Sequence, residues 1–120
     1  NWCLERRKRY PVVLDEYWKT KKISPYTFMQ TLFRQFQKGQ VIVAANGSAC
    51  VVGFQTAEIM QGQRLWTNSG CCSMGYDLPA AIGACIGSNR EPVVCLAGDG
   101  SIMMNLQELQ NCLKRVLIYF

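Results

Sequence analysis

The chain has no histidine among its 120 residues, and its seven cysteines include no Cys-x-x-Cys pair. A structural zinc site therefore has neither of its usual ligand patterns. No apolar run approaches the ~18 residues needed to span a bilayer. The basic cluster Arg6-Arg7-Lys8-Arg9 has no apolar stretch behind it of the length a secretory signal carries. There is no Gly-Lys-Ser/Thr loop for a nucleoside triphosphate. Met103 stands where a Gly-x-Gly-x-x-Gly fingerprint starting at Gly98 would need its last glycine. Charge is sparse, at 18% against 49% apolar residues, which excludes a disordered chain and fits a globular α/β protein. Acidic residues are fewer than basic ones, giving a net charge of +5. Residues 1–22 hold seven Lys/Arg against three Asp/Glu, whereas the rest hold six against five. The basic excess thus belongs to one solvated segment, and a nucleic-acid partner is not expected. The cysteine count is odd, and Cys71 and Cys72 are adjacent. Cys50, Cys85, Cys95 and Cys112 lie in apolar surroundings and read as small buried hydrophobes. That usage suits a reducing cytoplasm.

At this length there is room for one domain with a real core. The chain is organised around Glu91 to Leu113. Pro92 to Ala97 is a six-residue apolar run suited to a buried parallel strand. Gly98-Asp99-Gly100 follows, and then Ile102, Met103, Leu106, Leu109 and Leu113 recur at helical spacing. The tripeptide therefore sits at the carboxyl end of a strand, where open α/β sheets bind ligands. Its glycines permit close backbone approach, and the following helix N-terminus suits a phosphate. Asp99 would repel that phosphate unless a divalent cation lay between them. The turn reads as a metal–diphosphate site or, more plainly, as a tight turn with Asp99 capping the helix.

Earlier in the chain, residues 1–22 read as a connector, with a short helix near Val13–Lys19 as the alternative to aromatics that pack on a neighbouring domain. Ser24-Pro25 opens a helix, with serine at the N-cap and proline in the first turn. Tyr26, Met29, Leu32, Phe33 and Phe36 share one face of it, and Gly39 ends it. Val41–Ala45 is a buried strand running into a second strand-end turn, Asn46-Gly47-Ser48, and then a helix from about Ala49 to Met60. Arg64–Thr67 is a short strand, Asn68–Tyr76 a loop, and Ala80–Ile86 a helix of small residues. Arg115–Phe120 is a further buried strand.

Two segments taken together carry a family resemblance: Asn68-Ser-Gly-Cys-Cys-Ser-Met-Gly-Tyr-Asp-Leu-Pro-Ala-Ala-Ile-Gly-Ala84, and Gly98-Asp-Gly-Ser-Ile-Met-Met-Asn-Leu-Gln-Glu-Leu-Gln110. They resemble the thiamine diphosphate enzymes, in particular the C-terminal, diphosphate-binding domain of the acetolactate synthase-like branch. The likeness spans roughly Ile23 to Leu113. It implies a mostly parallel α/β sheet flanked by helices over residues 23–120, incomplete at its C-terminal side, with residues 1–22 leading in from a preceding domain. The chain then reads as part of a longer protein.

The resemblance further implies thiamine diphosphate and Mg²⁺ as cofactors. Asp99 becomes the metal ligand. Gly98, Gly100 and Ser101 line the diphosphate with it, and Asn46, Gly47 and Ser48 contribute from the other turn. Met74 matches the apolar side chain that wedges beneath the cofactor and folds its two rings together, a proximity worth about 7–11 kcal/mol at best. The backbone carbonyl of Cys72 would accept from the cofactor's 4′-amino group, at a place where the family often has glycine. The family also implies a 2-oxo acid substrate, decarboxylation or carboligation (lyase or transferase chemistry), a homo-oligomer, and a pyrimidine-binding domain of a partner subunit. That domain carries the activating glutamate. None of Glu5, Glu16, Glu58, Glu91 or Glu108 matches it, so no residue here is assigned a catalytic role and the chain alone is expected to be inactive. The family's asparagine pair, which completes the metal shell, would fall beyond Phe120. Acetolactate synthases tend to carry glutamine and histidine where this chain has Ser48-Ala49-Cys50. The alternatives are therefore another thiamine diphosphate enzyme, a decarboxylase or sugar-pathway carboligase, or an inactive truncated or pairing subunit.

Overall fold

Three four-residue strands pair in parallel, and two of them, VIVA and VVCL, are apolar segments with a β-branched start. In the computed structural model, which describes residues 1–111 and the backbone of 118–119, β1 is Val41–Ala44, β2 Arg64–Thr67 and β3 Val93–Leu96. A two-residue β4, Ile118–Tyr119, adds to β3. The order is β2-β1-β3-β4. The helices are α1 (Trp2–Arg9), α2 (Pro25–Phe33), α3 (Gly47–Thr56), α4 (Asp77–Gly87) and α5 (Asp99–Met103).

Alternation along the strands sorts the core into two layers. Ile42, Ala44, Val94 and Leu96 face α2 and α3, where they meet Met29, Phe33, Phe36 and Val52. Val43, Val93 and Cys95 face the other way, onto Ala81 and Cys85 of α4. Both faces of β1 and β3 are covered, which is why these strands read as continuous apolar runs. Fully buried side chains such as Phe33, Ile42 and Leu78 contribute about 1.5–3 kcal/mol each. β2 lies at the sheet edge with Arg64 and Trp66 exposed.

The chain leaves β1 toward β2 on one side and then crosses to β3 on the other. The strand order reverses between β1 and β3. That reversal opens a crevice outside their carboxyl ends, the place where such sheets take ligands.

Several boundaries differ from the sequence expectation, each for an identifiable reason. α2 stops at Phe33. Gln35 and Phe36 donate to the carbonyls of Leu32 and Phe33, three residues back, so the chain tightens before Gly39 turns it at φ +79°. Ser24 occupies the N-cap position, but its hydroxyl makes no capping bond; Thr27 Oγ1 instead donates to the Ser24 carbonyl at 2.9 Å. α3 begins two residues early, at Gly47, and ends at Thr56 rather than Met60. The segment beyond it is held by buried Gln63, whose side chain accepts from Met60 N–H and donates to the Gln37 carbonyl, both at 2.8 Å. α4 starts at Asp77 because Pro79 falls in the first turn, where a missing N–H costs nothing.

The long helix expected after Gly100 is interrupted: α5 is followed by a 3₁₀ turn at Leu106–Glu108, and helix resumes at residues 109–111. Asn105 breaks it. Its backbone sits at φ −133° and its side-chain amide donates to the Gly75 carbonyl. Leu113 and Cys112 lie outside the described residues, as do Arg115–Leu117 and Phe120 of the expected last strand.

Residues 1–22 carry two short helical segments. α1 is built from straight-chain helix formers with basic residues in its last turn, which complement the helix dipole. Arg6 lies over the Trp2 ring at 5.6 Å. No residue of α1 is buried, and Trp2 is 69% exposed. Asp15–Lys19 forms a short 3₁₀ helix, and Tyr17 meets Tyr26 of α2 at 5.6 Å between ring centroids.

Candidate functional site

Parallel register places the two strand-end turns side by side. Ala44 pairs with Leu96, so Asn46 and Gly98 each stand two residues past the same rung. The turns Asn46–Ser48 and Gly98–Ser101 therefore share one sheet edge, as expected.

The first turn opens α3, ten residues long. Asn46 is at the N-cap with an extended backbone and makes no side-chain capping bond; Ser48 does not cap the helix either. Gly47 takes φ +57°, a left-handed conformation that disfavours any side chain. The first intrahelical bond runs from Cys50 N–H to the Asn46 carbonyl. The N–H groups ahead of it are the free donors of a helix N-terminus, at the positive end of its dipole. Gly47 and Ser48 are exposed.

The second turn opens the five-residue α5. Its N-cap is Gly98, not Asp99. Asp99 is exposed, and its Oδ1 accepts the next N–H, that of Gly100, at 2.8 Å. The other carboxylate oxygen remains for a ligand. A cleft of about 490 Å³ lies beside it, walled by Phe28, Leu32, Ala49, Leu96 and Ile102.

The loop from Asn68 to Tyr76 ties the two turns together. At one end, Asn46 Nδ2 donates to the Cys72 carbonyl at 3.3 Å. At the other, Gly75 N–H donates to the buried Ser101 Oγ at 2.8 Å, while the Gly75 carbonyl accepts from Asn105. Between them, Met74 is half exposed and its Cε lies 3.1 Å from where a Cβ on Gly100 would stand. Cys72 has φ +52°, an uncommon conformation for a residue with a side chain. This is the physical reason that glycine suits the position. All nine residues singled out in the sequence thus lie on these two turns and the loop that spans them.

Gly75 and Asn105 were not among them. At Gly75 φ is +82°, and a Cβ would meet Asn105 Nδ2 at 2.6 Å and Met104 Cβ at 2.8 Å. The glycine alone carried a signal; the partner is thirty residues away in sequence. Asp77, at the start of α4, is fully buried; its Oδ1 accepts from Leu78 N–H at 2.9 Å, and its other oxygen has no partner among the described residues.

Chemically, the edge offers backbone donors and a helix dipole at one turn, and a free carboxylate oxygen at the other. An anion such as a diphosphate suits the first, a hard cation the second. Among the described residues no three His, Cys, Asp or Glu side chains converge on a point. Asp99 would therefore share a cation with ligand oxygens rather than cage it, in the manner of Mg²⁺ sites.

Residues 45–119 match the family model described as thiamine pyrophosphate enzyme, C-terminal TPP binding domain. The chain belongs to this family. The matched span takes in both turns and the loop between them. Among curated relatives, the acetolactate synthase isozyme 3 large subunit of Escherichia coli is 38% identical over 96 residues, which is 79% of this chain and 17% of that protein. The acetolactate synthase large subunit of Cyanidium caldarium is 49% identical over 103 residues, 86% of this chain and 17% of the relative. That of Buchnera aphidicola from Acyrthosiphon pisum is 37% identical over 91 residues, or 75% and 16%. The chain spans about a sixth of the length of these relatives. It is thus a C-terminal thiamine diphosphate-binding domain of the acetolactate synthase-like kind. Among the described residues no helix is long and apolar enough to cross a membrane.

Proposed function

We propose that this domain holds the diphosphate end of thiamine diphosphate, bridged by Mg²⁺ at Asp99, in an acetolactate synthase-like enzyme that decarboxylates and joins 2-oxo acids. The observation that carries the reading is the convergence on one sheet edge of a dipole-bearing turn and a carboxylate-bearing turn, tied by one loop. When bound, the cofactor supplies a nucleophilic carbon for attack on a carbonyl. The chain's own residues bind and orient it. Backbone N–H groups at Gly47 and Ser48 would take diphosphate oxygens, with Gly98, Gly100 and Ser101 lining the opposite side. Asp99 would hold the cation through the carboxylate oxygen that does not accept from Gly100. Asn46 steadies the Cys72 carbonyl, whose second lone pair is open to the cofactor's amino group. Met74 would present apolar surface beside Gly100 to the cofactor.

Residues 1–22 act as the connector from a preceding domain, and the Tyr17–Tyr26 contact supports a seam there. The activating glutamate comes from the pyrimidine-binding domain of a partner subunit in a homo-oligomer. The test is calorimetric titration of thiamine diphosphate into the full-length protein, with Mg²⁺ and with EDTA, alongside an assay of pyruvate consumption. Binding that weakens at least tenfold in EDTA, together with turnover of pyruvate, is expected. Metal-independent or absent binding would overturn the proposal.

A further inference from the structure

Two neighbouring thiols occupy the loop that links the turns. Cys71 and Cys72 are both free and exposed, whereas Cys50, Cys85 and Cys95 are buried. Cys72 is held by three contacts. Its N–H donates to the Asn68 carbonyl at 2.7 Å, its thiol to the Ser69 carbonyl at 3.0 Å, and its own carbonyl receives Asn46 Nδ2. It does so in the left-handed region, at φ +52°. A non-glycine residue kept there stores about 1–3 kcal/mol of backbone strain, so modest new constraints on this residue suffice to displace it.

We propose that Cys71 and Cys72 form a reactive vicinal dithiol, a site for peroxide oxidants and trivalent arsenicals, and that bridging it withdraws the Cys72 carbonyl from the site edge and weakens cofactor binding. The second half rests on the functional reading above; the first does not. In the peroxide reaction one thiolate attacks an oxygen of hydrogen peroxide. The O–O bond breaks, a sulfenic acid forms and hydroxide leaves to be protonated to water. The neighbouring thiol then attacks the sulfenic sulfur and expels a second water. Two thiols are oxidised by two electrons, and one peroxide is reduced to two waters. An arylarsine oxide engages the same pair without redox change: two As–S bonds form and one water is lost.

The bridge is geometrically costly. Consecutive Cα atoms lie about 3.8 Å apart across a trans peptide, below the ~4.4 Å lower end of ordinary disulfides. The closing ring must therefore turn the Cys71–Cys72 peptide and the torsions flanking it; the ψ torsion of Cys72 is among them, and it orients the Cys72 carbonyl, in the next peptide, that Asn46 holds. A strained, exposed bridge is also easily reduced, which makes the modification reversible.

The experiment uses the full-length protein, wild type and Cys71→Ser, treated with hydrogen peroxide and then with dithiothreitol. Peptide masses and thiamine diphosphate titrations in Mg²⁺ are followed at each stage, with phenylarsine oxide as the second probe. The expected wild-type result is loss of two hydrogens in the peptide holding residues 71–72. Cofactor affinity falls at least tenfold, and both changes are reversed by dithiothreitol. One equivalent of phenylarsine oxide is captured with the same loss of affinity. Cys71→Ser melts like wild type, binds cofactor like wild type, captures no arsenical at this loop and keeps its affinity after peroxide. Oxygen adducts at Cys72 without a bridge in wild type, or full bridging with unchanged affinity, would overturn the proposal. A reduced protein that binds no cofactor at all would count against the functional reading instead, leaving the dithiol to be judged by the masses.

Discussion

The turn after β1 and the turn after β3 occupy equivalent rungs of one sheet, yet they are built from opposite parts. The first has no charge, a glycine in the left-handed region and a ten-residue helix behind it. The second has a carboxylate, an unstrained glycine at φ −79° and a helix of five residues. Helix dipole effects are confined to the end turns and grow with aligned peptides, so the first turn is the better anion seat. The second is the better cation seat and, through Ser101, the anchor of the loop. On the proposed function, division of labour between adjacent strand ends would let one edge hold a metal and a phosphate without forcing like charges together.

Substitutions that break this comparison differ in expected size. Gly75→Ala should do most. Its Cβ would clash with Asn105 and Met104 from a left-handed backbone, detaching the loop from the second turn. A loss of about 2–4 kcal/mol is expected, read by denaturant melts without cofactor; a loss under about 0.5 kcal/mol would mean the loop adapts freely. Ser101→Ala should rank next. It leaves the buried Gly75 N–H without its acceptor and should cost about 1–3 kcal/mol. Equal stability would show that another acceptor takes over.

The paired glycines sharpen the contrast further. Gly47→Ala meets no atoms but sits at φ +57°, and should cost about 1–2 kcal/mol. Gly98→Ala, with open space and an ordinary φ, should stay within about 0.5 kcal/mol of wild type. Equal effects in the two melts would erase the difference between the turns.

The smallest effect lies away from the edge. Burial on α4 pushes the Cys85 thiol above the ordinary thiol value of 9.0, with Arg90 partly opposing. The folded state therefore holds that proton more tightly than the unfolded state. The resulting stability is fully present below pH 9 and is lost as pH rises through the folded value. Melts of wild type and Cys85→Ala from pH 7 to 11 should show the gap between them narrowing above pH 9; a constant or widening gap would contradict the sign.

Much of this was legible in the sequence because the relevant signals are local. Val41–Ala44 and Val93–Leu96 are apolar because both their faces are covered, and the residues that follow them are turn formers. The site's outline came from the same places. What was hidden depends on contacts across the chain. The early end of α5 follows from Asn105 reaching Gly75, and the end of α3 from Gln63 reaching Gln37; neither pairing is visible in a helical period. α1 has no apolar face to mark it, only residues that tolerate helix well. The positive φ of Cys72 is likewise set by its surroundings, since nothing in a Cys-Cys dipeptide calls for it.

The central claim is that Asp99 serves a cation rather than the fold. Asp99→Asn separates the two roles, because an amide oxygen can still accept the Gly100 N–H as Oδ1 does now, while the charge is gone. The decisive measurement is titration of thiamine diphosphate at saturating Mg²⁺ into the full-length protein and its Asp99→Asn variant, with melts of both in the absence of cofactor. The account predicts coincident melts and an affinity at least tenfold weaker in the variant, equivalent to about 1.4 kcal/mol. Equal affinities, with the melts coincident or not, would contradict it.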